Sequence, residues 1–206
     1  MLPFVVITVV VGYLLGNLNG AVCMSKLLGD DVRTHGSGNA GLTNFIRSYG
    51  AGRSLMVIVI DAGKAVLACL LGGLLLREHF DFRTGSALGG AAVMLGHVFP
   101  AFLGFRGGKG ILSGLFIALT TDYRVALVIL AVFAAAYLLT QYVSLGSVLA
   151  AIAFGVSFVV LHHDDLIVMV CGLFMSLLAT FMHRQNILRL LKGEERKTNL
   201  FKKDKE

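Results

Sequence analysis

Ile111-Leu-Ser-Gly-Leu-Phe-Ile-Ala-Leu-Thr120 decides the topology of this chain. It is apolar but short. A helix of about eleven residues rises ~17 Å, against a bilayer core of ~30 Å. The other apolar runs, at about 2–24, 54–76, 84–103, 125–140, 144–161 and 166–182, raise less doubt, and several reach the ~18 residues that a membrane helix needs. Composition agrees: the chain is 56% hydrophobic and 15% charged, with a mean hydropathy of +0.81. Soluble domains hold ~45–50% apolar and ~25% charged residues. The sequence therefore predicts an all-α, polytopic membrane protein.

Charge decides whether the short run crosses. If it does, there are about seven transmembrane helices with the N-terminus outside, and segments 25–53, 104–110, 141–143 and 183–206 share one face. That face then carries fourteen of the eighteen Lys and Arg residues. Without the crossing, the first two basic loops and the tail fall on opposite faces. Positively charged loops stay cytoplasmic, so the expectation is seven crossings, a cytoplasmic C-terminus and one integral-membrane domain over 1–206. The N-terminal run has no basic leader and no small-residue cleavage site, and reads as a retained first helix.

The formal charge of +6 does not indicate a nucleic-acid partner. Residues 183–206 hold eight Lys or Arg against four acids, the pattern of an anchor near anionic lipid headgroups. Cys23, Cys69 and Cys171 each lie within an apolar run without metal-ligand spacing. No internal repeat is evident, whereas a transporter built on inverted repeats would show weak symmetry and helices broken near mid-membrane. The polar chemistry gathers instead at one membrane face, in three islands.

The first is His35-Gly-Ser37-Gly38-Asn39-Ala-Gly41-Leu-Thr43-Asn44-Phe-Ile-Arg47. Its Gly-x-Gly-x-x-Gly follows a membrane helix, not the strand a dinucleotide fold requires. Glycines still let backbone N–H groups converge on an anion. Ser37, Asn39, Thr43 and Asn44 add neutral donors, and Arg47 adds a planar fork for phosphate oxygens. The alternative is a flexible linker, which rarely needs so many polar side chains. The second island ends in Gly104-Phe-Arg106-Gly107-Gly108-Lys109-Gly110. It fails as a Walker loop, with Leu103 and Gly110 where Gly and Ser or Thr belong, yet a glycine turn with Lys109 opening a helix is another anion site. Arg106 is equally readable as a flanking charge. The third, His183-Arg-Gln-Asn186-Ile-Leu-Arg189-Leu-Leu-Lys-Gly-Glu194, puts His183, Asn186 and Arg189 on one helix face. Alone it is equally well a basic interfacial helix.

Asp61 and Lys64 lie inside a span, three residues apart, where charges are costly and pair or act; an ion pair bracing the site is the preferred reading. Ser144 and Ser147 open the sixth span, but membrane serines usually bond back to their own helix. His162-His163-Asp164-Asp165 falls on the opposite face and is expected to be a solvated loop.

Together the three islands, with Asp61-x-x-Lys64 and Tyr142-Val-Ser144-Leu-Gly-Ser147, resemble the motifs of the bacterial acyl-phosphate-dependent glycerol-3-phosphate acyltransferases, the integral-membrane PlsY family. Order and spacing agree over nearly the whole chain. Two small departures are Arg106, where lysine is equally familiar, and Ala65, where glycine often follows the pair. The resemblance implies transfer of a fatty acyl group from acyl phosphate to the 1-hydroxyl of sn-glycerol 3-phosphate at the cytoplasmic face of the bacterial inner membrane. This gives lysophosphatidic acid and phosphate, the first step of phospholipid synthesis. It puts Ser37, Arg47 and His183 in the reaction. It places Gly38, Asn39, Thr43 and Asn44 around phosphate, Gly107, Gly108, Lys109, Ser147 and Asn186 on the glycerol phosphate, and Glu194 in a structural role. No metal or cofactor is implied, and the partners are the two substrates, membrane lipid and the enzyme that makes acyl phosphate. The residues fit such chemistry, since the donor already carries a good leaving group and the site mainly needs positioning and charge stabilisation. The proton acceptor is either His183 or a substrate phosphate. The other acyltransferase class uses thioester donors and a His-x-x-x-x-Asp motif, and no histidine here has Asp five residues on. The competing reading is a transporter or channel for an organic phosphate, with the basic loops as its vestibule.

Overall fold

The computed structural model describes residues 1–197; the end of the basic tail, 198–206, lies outside the described residues. Regular structure among the described residues is helical. The single span expected over 2–24 is two helices, α1 (Leu2–Gly16) and α2 (Gly20–Leu27), bent by 40°. The residues between them explain the break. The Asn17 amide turns back to the Tyr13 carbonyl at 2.8 Å, and Asn19 caps α2 by accepting the Val22 N–H at 3.0 Å. The Leu18 and Gly16 carbonyls freed by the break accept from the Lys64 ammonium at 2.5 and 3.4 Å. A helix within a membrane opens only where such replacement partners exist.

The chain continues through α3 (Leu42–Tyr49), α4 (Ser54–Leu75), α5 (Phe82–Val98), α6 (Ile111–Thr121), α7 (Tyr123–Thr140), α8 (Val143–Leu161), α9 (Leu166–Met182) and α10 (Arg184–Leu191). Four helices are long and apolar enough to cross a membrane, over Ala51–Leu75, Phe82–Leu103, Tyr123–Thr140 and Val143–Leu161. Counting each bent pair as one span, α1 with α2 and α9 with α10 (bent by 55°), gives six. α6 has eleven residues and falls below that length.

α5 is the central column, packed on α1, α4, α6 and α9. Its glycines let the backbones meet: a Cβ on Gly89 would collide with the Ala68 carbonyl of α4, and one on Gly96 with the Tyr13 carbonyl of α1. Small residues at the seam are how membrane helices gain packing without a hydrophobic drive between them. Val93, Ile117, Phe154, Phe158 and Met175 fill the core between α5, α6, α8 and α9. A smaller cluster of Val22, Val32, Phe45 and Val57 seats the first island on α2 and α4.

α6 runs beside α5 in the opposite direction. Gly108 bonds the His97 carbonyl at 3.1 Å just before α6 begins, and Thr121 pairs with Ser86 at 2.8 Å where it ends. Asp122 then separates α6 from α7. It caps α7 through the Arg124 N–H, grips the Arg124 guanidinium and accepts from His162 at 3.0 Å. Asp165 caps α9 and bonds Thr84. The segment 162–165 is therefore not simply the solvated loop expected. His163 and Asp164 are exposed, but His162 is buried, because the early end of α6 leaves polar groups that must be satisfied inside the bundle.

Candidate active site

At the other end of α6 the three islands line one cavity of about 880 Å³, within the size range of small-molecule sites. In the first island Asn44 is buried and holds the loop together. Its Oδ1 accepts the Ser37 N–H at 3.0 Å, and its Nδ2 faces the carbonyls of Val32, His35 and Asn39 at 3.0–3.1 Å. Gly36, at φ +57°, lies against Asn44 Oδ1, where a side chain would collide. Asn44, expected among the phosphate donors, instead shapes the loop. Among the described residues the side chains of Ser37, Asn39 and Thr43 have no protein hydrogen-bond partner, and all three line the cavity. Gly38 has a φ of +69° within the same turn but is not among the lining residues. Arg47 extends from α3 at the exposed rim of the cavity.

The second island differs from expectation. The Gly107 N–H bonds the Val98 carbonyl at 3.2 Å and the Gly108 N–H bonds the His97 carbonyl at 3.1 Å. The loop folds back on the last carbonyls of α5, so these two amides satisfy the helix end and are not offered to an anion. Both positions need glycine because of close approach: a Cβ would collide with the His97 carbonyl at 107 and with the His97 ring at 108. The charged side chain of this island that lines the cavity is Lys109. Its ammonium donates to Asn186 Oδ1, and Arg106 stays outside the cavity. Burial, reinforced by Arg189, pushes the Lys109 ammonium down to about 8.

In the third island His183 closes α9. A carbonyl only accepts, so the 2.8 Å contact with Ala179 O places the ring proton on Nδ1 and leaves Nε2 as an acceptor. Burial, then Lys109, pushes the imidazole down to about 4, so it is neutral at physiological pH. One turn on, Asn186 takes Lys109 on Oδ1 and donates to Glu195 at 3.3 Å, and Arg189 donates to Glu195 at 2.8 Å. Both Glu194, expected to be structural, and Glu195 line the cavity past Gly193 (φ +70°), and it is Glu195 whose side chain meets Asn186 and Arg189. Ser147 bonds its own Val143 carbonyl at 2.9 Å while lining the cavity, and buried Ser144 beside it has no protein partner among the described residues.

The remaining wall is apolar, with Leu112, Leu115, Ile129, Leu130 and Phe133 from α6 and α7. At the floor Asp61 and Lys64 pair at 2.8 Å and His97 joins them. The sequence assigns no role to His97 or Glu195. The first had a signal, because an ammonium with three protons inside a membrane needs more than one carboxylate. The cavity therefore presents Arg47, Lys109 and Arg189, with Glu195 bonded to Arg189, together with hydroxyl and amide donors, a neutral imidazole acceptor and an apolar flank.

The family model for glycerol-3-phosphate acyltransferase matches residues 6–193. The chain belongs to the glycerol-3-phosphate acyltransferase family. Acyltransferases of this name from Thermoanaerobacter sp. (strain X514) and Anaeromyxobacter dehalogenans (strain 2CP-C) are 37% and 40% identical to it. The alignments cover 94% and 93% of this chain and 96% of each relative. The crystal structure of PlsY, an integral membrane glycerol 3-phosphate acyltransferase, is similar in its glycerol 3-phosphate form, with a TM-score of 0.86 and 31% identity over 96% of this chain and 99% of that one. Its lysophosphatidic acid form gives a TM-score of 0.82 at 31% identity, covering 95% of each chain. These neighbours place the chain in the PlsY branch, a fold of membrane-embedded helices.

Proposed function

We propose that this protein transfers a fatty acyl group from acyl phosphate to the 1-hydroxyl of sn-glycerol 3-phosphate, releasing lysophosphatidic acid and inorganic phosphate. The observation that carries this reading is the cavity's division. Arg47, Lys109 and Arg189 face one region, and an apolar wall faces the other, which matches two phosphate-bearing substrates of which one has an acyl chain.

In this reading Lys109, Asn186 and Ser147 hold the glycerol phosphate, while Ser37, Asn39, Thr43 and Arg47 surround the phosphate of the donor. The glycerol hydroxyl hydrogen-bonds to His183 Nε2 and attacks the acyl carbonyl carbon. The new ester C–O bond forms as the bond from that carbon to the phosphate oxygen breaks, and the phosphate departs with the electron pair. The hydroxyl proton passes to His183 or to a substrate phosphate. His183 acts first as the group that orients the hydroxyl, because an imidazole held near 4 is a weak base until a phosphate dianion is bound beside it. Cationic side chains already in place supply the charge stabilisation.

The same reading puts the site on the cytoplasmic face of the bacterial inner membrane, in one domain with seven crossings and the N-terminus outside. In support, α6 begins beside the cavity and ends at Ser86 and Asp122, in the opposite polar layer, and the basic loops gather at the cavity end. The enzyme that makes acyl phosphate is the expected partner, delivering a donor too reactive to store.

The test is purified protein in detergent with palmitoyl phosphate and radiolabelled glycerol 3-phosphate. Lysophosphatidic acid formed without coenzyme A or acyl-carrier protein supports the reading. Product only from a thioester overturns the donor. No product from any donor, together with vesicle uptake of glycerol 3-phosphate, would favour transport.

A further inference from the structure

His97 is gripped at both edges of its ring. On one side stands Lys64, buried within α4, whose ammonium meets Asp61 Oδ1 at 2.8 Å, the Leu18 carbonyl at 2.5 Å and His97 Nδ1 at 2.7 Å, with the Gly16 carbonyl a longer fourth acceptor at 3.4 Å. An ammonium only donates, so Nδ1 is the acceptor and the ring proton sits on Nε2. On the other side stands the loop of the second island. A Cβ on Gly108 would collide with His97 Nε2 and lie 2.9 Å from Cε1. The main chain repeats the contact, since the His97 carbonyl accepts the Gly108 N–H. The ring is 5% exposed, so it cannot tilt without moving either the ion pair or the loop.

We propose that His97 is a positioning residue, which couples the buried Asp61–Lys64 pair to the Gly107–Lys109 loop and so fixes the depth at which Lys109 meets a substrate phosphate. The identity of that phosphate rests on the acyltransferase reading; the coupling rests on geometry alone. A buried ion pair is weak evidence for stability and gains a rationale when it specifies one arrangement. Here it sets a tautomer and a ring orientation, which an apolar pair of equal volume would leave undefined. Lys109 reports its own depth. The groups facing it are Asn186 and Arg189 from α10, Glu195 beyond α10, Arg47 from α3 and His183 at the end of α9, and burial is the main cause of its lowered proton affinity.

The deciding variant is His97→Asn. Its amide oxygen stands near the place of Nδ1 and still accepts from Lys64, but the ring edge against Gly108 is gone. Gly108→Ala attacks the same contact from the loop, with its Cβ also 2.8 Å from the Ala40 carbonyl, and keeps every side chain of the Lys64 cluster, so it serves even where His97→Asn does not fold. Two readouts are needed: KM against kcat for glycerol 3-phosphate, and the pH dependence of chemical labelling of Lys109 followed by mass spectrometry, which requires no activity. In His97→Asn we expect the labelling midpoint to rise from near 8 by about one unit towards the free-lysine value. KM should rise ~10-fold as the loop slackens, with a smaller change in kcat. In the double variant the losses should be less than additive, because removing the ring relieves the clash that the Gly108 Cβ makes with it. An unchanged midpoint and KM in a folded variant, a loss confined to kcat, or additive losses would overturn the proposal. A wild type inactive on glycerol 3-phosphate would instead defeat the acyltransferase reading, and the labelling result would still stand.

Discussion

Lys109 and Asp122 flank the same eleven-residue helix and are treated in opposite ways. Asp122 is buried and well matched: it accepts from the Arg124 backbone and guanidinium and from His162, and Arg124 holds its carboxyl down to about 2. Lys109 carries three protons, and Asn186 is its only hydrogen-bond acceptor among the described residues. The same burial that Asp122 offsets with partners pulls the Lys109 ammonium down to about 8. A charge whose partners stabilise it is moved away from neutrality; one left short of partners is moved towards it. The first pattern closes a helix end, and the second marks a place where a ligand completes the set.

The largest effect that would break this contrast lies at the open end. His183→Ala and Lys109→Ala should each lower kcat/KM by ~10²–10⁴-fold with melting temperatures close to wild type, since in the proposed reaction each removes a group that meets substrate. Steady-state kinetics paired with thermal scans will check this, and a comparable loss of stability would make these residues structural. At the closed end the order reverses. Asp122→Ala leaves His162 and Arg124 without their carboxylate and should cost about 2 kcal/mol of stability, with turnover per folded molecule within about twofold of wild type; denaturant titration measures the first. A pH profile sharpens the contrast further. In the proposed reaction Lys109 holds phosphate in its charged form, so kcat/KM, which reports the free enzyme, should fall as pH rises through about 8. His183 stays neutral down to about 4 and should add no limb between pH 5 and 8. The smallest effect separates two neighbours. Glu195→Gln should raise KM a few-fold by loosening Arg189 and Asn186, and Glu194→Gln should stay within ~0.5 kcal/mol of wild type in both stability and transition-state binding.

Much of this was legible in the sequence. Apolar runs gave the helices, the three islands gave the residues around the cavity, and Asp61-x-x-Lys64 gave the buried pair. What was not legible depends on where backbone groups turn once the chain is packed. Whether the Gly107 and Gly108 amides face a ligand or the end of their own helix is settled by the hairpin between α5 and α6, and no local pattern records it. Asn44 has the donors of a phosphate ligand, but its position one turn into α3 aims them at the preceding loop. Glu194 and Glu195 both line the cavity, and only the packed chain shows that Glu195 is the one bonded to Asn186 and Arg189. The 162–165 segment reads as solvated because its partner, Asp122, is 40 residues away in sequence.

The most direct test compares the two ends in one assay. Arg47→Ala and Asp122→Asn would be purified in detergent, their folded fractions measured by size exclusion, and lysophosphatidic acid formation from palmitoyl phosphate recorded per folded molecule. The account predicts a folded but nearly inactive Arg47→Ala beside an Asp122→Asn that is less stable yet turns over close to the wild-type rate. An active Arg47→Ala together with a folded, inactive Asp122→Asn would contradict it and move the chemistry to the other end of the bundle.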